Sequence, residues 1–351
     1  MSCPNRSYPL RLAVPSDSEA IRRVLESGSY PGQIEVRFTR RPDPYRSYLN
    51  DGEALVMPVT EYPGTGEIIG VGGCVLRRAH VNGRVEQTGY LTGLKLLEEY
   101  RGRNDSFREA YSLIRRETAD ACKLYVTTIL SENTTAIKFL EKKRKGLPPY
   151  RFIGEYTVFC MGTRGSSGPP KGLRFVRGGD GIAAFYREHL PRFNLSPVWG
   201  SLYGLGQEDF YTLRTGGGEI LAACAVWNQQ SYKQYTVTRY GGVYKLLEKL
   251  PTRLLGYPAV PREGNPANYA SIALPLLRPD SLALGRDFLK LAASQAREYE
   301  FLMLGLLPGH PLYGAAQKTR HLQYKSRLYT VEYEGCLELD ERPLMLEAGL
   351  L

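Results

Sequence analysis

Residues 87–129 read QTGYLTGLKLLEEYRGRNDSFREAYSLIRRETADACKLYVTTI. Apolar residues dominate Tyr90–Leu97, which predicts a strand. A basic turn follows, Arg101-Gly102-Arg103-Asn104-Asp105-Ser106. Asn, Asp and Ser cap helices because their side chains accept from unpaired backbone N–H groups, so a helix is expected from Asp105 or Ser106. Phe107, Ala110, Tyr111, Ile114 and Ala121 share one helical face, with Arg108, Arg115, Arg116 and Glu117 mostly outside it. Leu124–Ile129 is short, apolar and β-branched, and reads as the next strand. A helix start carries free N–H groups and partial positive charge, and the arginines add whole charges. Such a turn can seat a phosphate or pyrophosphate. It equally suits an ordinary capped helix with solvated arginines, the commoner use.

The chain has 351 residues, enough for two domains, with 42% hydrophobic and 23% charged residues, as in soluble globular proteins. No apolar run reaches the roughly 18 residues of a membrane span. The N-terminal MSCPNRSYPLRLAV has no signal-peptide core, so a cytoplasmic protein is expected, with no membrane partner. Cys3, Cys74, Cys122, Cys160, Cys224 and Cys336 are scattered, without a CxxC pair, and the 4 histidines lie far apart; neither a metal site nor a disulfide framework is expected. Net charge is +10, which favours an anionic partner. Outside Lys142-Lys143-Arg144-Lys145 the basic residues are dispersed, so nucleic acid is not expected.

In order, strands are expected at Leu10–Val14, Ala54–Thr60, Glu67–Arg78, Tyr90–Leu97, Leu124–Ile129 and Arg151–Met161. Helices are expected from Ser16-Asp17 to about Ser27, near Tyr45–Leu49, and from Ser131-Glu132-Asn133 to about Lys143, while Tyr30–Asn50 is otherwise irregular. Asn82-Gly83 is a hairpin signal. Thr163–Lys171, TRGSSGPPK, reads as a linker. It divides a first domain, 1–162, from a second, 172–337, and residues 338–351 form a tail.

The pattern then restarts. Strands are expected at Leu173–Val176, Phe210–Arg214, Glu219–Trp227, Asn268–Leu277, Phe301–Leu307 and Ser326–Tyr333, and helices at Gly181–Glu188, Ser281–Tyr299 and His310–Thr319. An offset of 177 carries Arg101 to Arg278, Asn104 to Ser281, Tyr111 to Phe288 and Thr127 to Leu304 without a gap. Upstream the offset is 150, from Gly73-Cys74-Val75 to Ala223-Cys224-Ala225, leaving 27 extra residues between Trp227 and Asn268 with an added helix at Tyr240–Leu250. Tyr232, Tyr235, Tyr240 and Tyr244 in that stretch are expected in the core, or as walls of a cleft or of the seam between halves. The period is too long for a solenoid, so a duplicated domain is expected.

Two such units in tandem resemble the GNAT superfamily of N-acyltransferases, over residues 8–161 and less closely 172–335. The resemblance implies an α/β (α+β) fold, each half a mixed, mostly antiparallel sheet flanked by helices. It implies acetyl-CoA or another acyl-CoA as co-substrate, lying where two strands splay. Arg101, Gly102, Arg103, Asn104, Asp105 and Ser106 stand at the family's pyrophosphate turn, with Asn104 and Ser106 in place of its two glycines. Backbone groups of Leu94 and Leu96 would hold the pantetheine arm and polarise the thioester. Asn133 and Ala136 match the family's Asn-x-x-Ala helix start, and Leu140 stands where members often place a Tyr acid. Glu86 is the first candidate base. Three functions follow: acyl transfer to the amine of a small molecule or peptide; CoA or ligand binding without turnover; or, ranked last, Fem-type transfer from an aminoacyl-tRNA.

Overall fold

The computed structural model describes residues 8–29, 32–100, 106–164, 168–242, 244–248 and 250–351. The first half runs β1 (Leu10–Leu12), α1 (Ser18–Glu26), β2 (Ile34–Thr39), α2 (Pro44–Leu49), β3 (Ala54–Val56), β4 (Pro58–Glu61), β5 (Ile68–Val81), β6 (Arg84–Leu96), α3 (Ser106–Thr118), β7 (Leu124–Leu130), α4 (Thr134–Glu141) and β8 (Tyr150–Met161). The second runs β9 (Leu173–Arg177), α5 (Ile182–His189), β10 (Ser196–Pro197), β11 (Phe210–Thr215), β12 (Ile220–Trp227), β13 (Gln234–Tyr240), α6 (Tyr244–Leu247), β14 (Tyr269–Leu277), α7 (Gly285–Ser294), β15 (Phe301–Leu306), α8 (Tyr313–Gln317) and β16 (His321–Val331).

Local chemistry accounts for much of this. Asp43 caps α2 by accepting from the Arg46 N–H, and Pro44 begins the helix where no N–H is needed. The β5–β6 hairpin turns through Asn82 and Gly83, at φ 53° and 81°, the left-handed pair that a tight hairpin requires. α3 buries Tyr111, Leu113, Ile114 and Thr118 against the sheet.

The main sheet has the order β1-β4-β5-β6-β7-β16-β8-β15-β14-β12-β11-β9, with β3 and β10 both on β5. The order is symmetric about its centre, and the centre is exchanged. β16, from the second half, pairs with β7 of the first; β8, from the first half, pairs with β15 of the second. The two exchanged strands pair with each other, antiparallel, from His321↔Met161 to Val331↔Tyr150. The halves therefore share one continuous sheet. A second, two-stranded sheet joins β2 to β13 across the same seam.

Four expectations need correction. The 30–50 stretch, read as irregular but for one helix, holds β2, whose partner lies some 200 residues away and gives no local signal. Tyr240–Leu250 is the end of β13 and the single turn of α6 instead of one helix. The expected helix at Ser281–Tyr299 is a 3₁₀ stretch, Pro279–Leu284, followed by α7. The repeat is not gapless: Val126 pairs with Tyr90 and Met303 with Ser271, an offset of 177 on one strand and 181 on the other, so the second strand–helix–strand connection is four residues shorter.

Neither half closes its sheet with its own last strand, so one cooperative unfolding transition is expected. Both tryptophans, Trp199 and Trp227, lie in the second half, so their fluorescence reports that half while far-ultraviolet circular dichroism reports both. Urea curves from the two probes should coincide. Leu328→Ala, at a fully buried position of β16, should lower the common stability by about 2–5 kcal/mol.

Candidate functional site

Each half contains one parallel strand pair that begins together and then separates. In the first, β6 and β7 pair only at Thr88–Tyr90 against Leu124–Val126. The Thr127 hydroxyl then bridges the widening gap to the Leu91 carbonyl at 2.7 Å. Beyond it β6 bulges away: the register with β5 shifts between Gly73 and Val71, and Gly93 takes φ 66°. A Cβ at Gly93 would lie 2.5 Å from the Tyr48 hydroxyl, so glycine is needed for both backbone and contact. After the bulge Leu94 is 43% exposed and Leu96 half-buried. The helices α3 and α4 begin at the far end of this opening, with Ser106 buried in the first turn of α3.

In the second half β14 and β15 pair at Tyr269–Ser271 against Phe301–Met303 and then separate, and Leu274 takes the bulge position at φ 48°. Here the space is filled. All of Tyr269–Leu277 is buried. The Leu274 N–H donates to the Glu347 carboxylate at 2.7 Å, and the Tyr156 hydroxyl donates to the Leu346 carbonyl at 3.0 Å. A Cβ at Gly285 would meet Ala315, Leu312 and Leu277 at 3.1–3.4 Å, so α7 and α8 pack tightly over the strand end. His310 is buried against Phe193, with ring centres 5.4 Å apart, and burial pushes it down to about 4. Arg278 pairs with Glu219 and Asp280 and is not available to an anion.

The tail that fills this second opening also meets a buried charge cluster. Asp51 joins Arg40 and Lys233, each at 2.7 Å and each nearly solvent-free. Lys233 donates to the Gly349 carbonyl at 2.5 Å, and Arg77 to the Leu350 carbonyl at 2.9 Å. Burial pushes the Lys233 ammonium down to about 7, with Asp51 opposing the shift. The Arg40 guanidinium lies 3.7 Å over the Tyr48 ring, linking the cluster to the Gly93 bulge. Burial raises the Tyr48 phenol, and its hydroxyl bonds the Thr92 side chain.

Of the residues expected in a site, Leu94 and Leu96 lie on β6 beyond the bulge, Ser106 begins α3 and Asn133 precedes α4. Arg101, Gly102, Arg103, Asn104 and Asp105 lie outside the described residues. Asn133 caps α4, its side chain accepting from the Ala136 N–H at 3.2 Å. Glu86 is not brought there. It sits opposite Ala79 near the hairpin, eight residues up β6 from Leu94, roughly 25 Å along the strand at ~3.3 Å per residue. Leu140 packs with Ile137, Ile129 and Tyr329, and Tyr313 packs on Phe159 at 5.5 Å. Sequence reading did not find Tyr48, Arg40, Asp51, Lys233 or Glu347. The nearest signal was the tyrosine-rich insertion, whose Tyr235 does pack across the seam on Phe38, with ring centres 5.0 Å apart.

No protein-family model matches this chain, and no curated protein matches its sequence. Solved structures match over nearly its whole length. A GCN5-related N-acetyltransferase from Sphaerobacter thermophilus superposes with TM-score 0.54 and 15% identity, over 95% of this chain and 98% of that one. Saccharomyces cerevisiae N-myristoyltransferase with bound myristoyl-CoA superposes with TM-score 0.56 and 9% identity, over 97% and 89%. The chain has the GNAT fold. A GCN5-related glucosamine N-acetyltransferase region of a fungal multi-domain GH3 β-N-acetylglucosaminidase gives TM-score 0.64 and 12% identity over 92% of this chain, which spans only 38% of that longer protein. At these identities the likeness is one of fold. Among the described residues no group of three His, Cys, Asp or Glu is placed to hold a metal ion.

Glu347 gives a prediction with a definite sign. Burial raises its carboxyl from the ordinary 4.5 to about 8, the Leu274 N–H and Arg77 opposing the shift. The folded form then binds the proton more tightly than the unfolded chain, so its contribution is full below pH 4.5 and is lost as pH rises towards 8. Glu347→Gln keeps an acceptor for Leu274 and has no charge to bury. The variant should gain on the wild type by on the order of 2–4 kcal/mol between pH 5 and pH 8, in urea titrations run at each pH.

Proposed function

We propose that this protein transfers an acyl group from acyl-CoA, acetyl-CoA in the first instance, to the amine of a small molecule or peptide, using the opening in its first half. The observation that carries this is the contrast between the two strand pairs. The edge of β6 beyond the bulge leads to an exposed Leu94, whereas the equivalent stretch of β14 is buried throughout. The myristoyl-CoA held by a structural neighbour of the same fold supports the choice of co-substrate class.

In this reading the pantetheine arm lies along β6, bonded to backbone groups of Leu94 and Leu96, and Asn133 lies beside it. The pyrophosphate sits at the start of α3, at Arg101–Ser106. The thioester carbonyl lies at the Gly93 bulge, where backbone N–H groups stabilise the oxyanion formed when a neutral amine attacks. Collapse breaks the carbon–sulfur bond and expels the thiolate. The Tyr48 hydroxyl gives the thiolate its proton and is reprotonated from the ammonium of the intermediate, so the amine's proton ends on the thiol. Tyr48 thus takes the role left vacant at Leu140. The second half, lacking an opening, builds the acceptor side through Lys233 and the tail.

Calorimetry with acetyl-CoA and with CoA should show binding near 1:1, and Gly93→Val should abolish it, because the left-handed backbone and the Tyr48 contact both exclude a side chain. Absence of heat and of thermal stabilisation at millimolar ligand would dismiss the proposal. Against a panel of amines, Tyr48→Phe should lower kcat by about 10²-fold with little change in the KM for acyl-CoA. Binding without turnover on any amine would favour a ligand-binding role instead.

A further inference from the structure

The insertion between β12 and β14 presents a surface that neither the sheet nor the proposed site uses. Residues 244–257 read YKLLEKLPTRLLGY. Among the described residues, Thr252, Glu248 and Arg253 are hydrogen-bonded within the protein. Thr252 is buried and donates its hydroxyl to the Pro258 carbonyl at 2.7 Å. Glu248 accepts from the Glu263 N–H at 3.1 Å, and Glu263 accepts from the Tyr240 N–H at 2.7 Å. Arg253 reaches under the segment to the Tyr299 carbonyl at 2.9 Å. The Tyr257 N–H closes the loop on the Thr252 carbonyl at 3.1 Å.

The apolar groups turn outward. Leu246, Leu250, Leu254, Leu255 and Tyr257 are 62%, 47%, 74%, 58% and 42% exposed. A loop whose backbone is tied down while its leucines face water is arranged for contact, because scattered surface leucines are ordinary but a cluster is not. The fringe is basic. Lys245, Lys318 and Arg262 are exposed, and Arg320 bonds the Leu255 carbonyl and lies 5.9 Å from the Tyr257 ring centre.

We propose that this surface docks on an anionic lipid bilayer. The leucines enter the boundary between headgroups and acyl chains, and the basic fringe meets lipid phosphates. Exposed leucines with Lys245 and Arg320 beside them match that boundary in polarity, and the net charge of +10 favours an anionic surface. The expectation of no membrane partner rested on the lack of a spanning segment, and a peripheral dock needs none. The inference is independent of the acyl-transfer reading.

The test is co-sedimentation of the full-length protein with phosphatidylcholine vesicles and with vesicles enriched in phosphatidylglycerol. Binding is expected to the anionic vesicles only, and to weaken with added salt. Leu254→Glu should weaken it by about tenfold or more, and Lys245→Gln by about fivefold. Both variants should keep the wild-type melting temperature, since the altered side chains are exposed. Equal binding to both vesicle types, or unchanged binding of Leu254→Glu, overturns the proposal. So does self-association that Leu254→Glu breaks without any vesicle binding, which assigns the surface to a second copy of the chain.

Discussion

The β8–β16 ladder is the constraint on which the rest of the structure depends. Each half gives away its closing strand, and the two donated strands hold each other at the middle of the sheet. The exchange forces the halves into one backbone hydrogen-bond network. It places the loop before β13, α2 and the C-terminal tail in one space between the halves. The cluster of Arg40, Asp51 and Lys233 exists only because that space excludes water. A carboxylate shared by two cations there is tolerable only with every partner in place, so it fixes the seam geometrically and adds little net stability.

The same topology, used twice, gives two different outcomes. Both splayed pairs have a bulge with a positive φ, and both are followed by a turn and a helix. The first connection, from strand through helix to strand, is four residues longer than the second. In the second, Arg278 is taken up by Glu219 and Asp280, and α7 and α8 close on each other around Gly285. Glu347 then supplies a carboxylate oxygen to the bulge amide of Leu274. In the second half the bulge amide is satisfied by the protein's own tail. That difference is the ground for proposing the first half as the ligand site.

Much of the fold was legible in the chain. The Asn82-Gly83 turn, the apolar runs of β5, β6, β7, β14 and β15, and the cap at Asn133 act over a few residues, so their chemistry is readable locally. β2 was not, because a strand lying among prolines becomes one only when β13 supplies its hydrogen bonds. The strand exchange was not readable either: β16 has the same apolar pattern whether it closes its own half or the other. Leu94, Leu96 and Asn133 were named by resemblance, for roles that use backbone or a cap. Glu86 was misplaced because distance along an extended strand accumulates with every residue, and eight residues carry it out of reach. Tyr48 carried no mark, since its place at Gly93 depends on a bulge forty-five residues away.

By itself the sequence determined most of the elements, the recurrence of their pattern and the positive charge, because helix periodicity, strand alternation, turn chemistry and net charge are properties of neighbouring residues. Only the tertiary structure decided which opening stays open, which charges are buried together and which leucines face outward. Those outcomes depend on groups brought together from opposite ends of the chain, and the free energy of burying or pairing them is set by neighbours that the sequence does not list side by side.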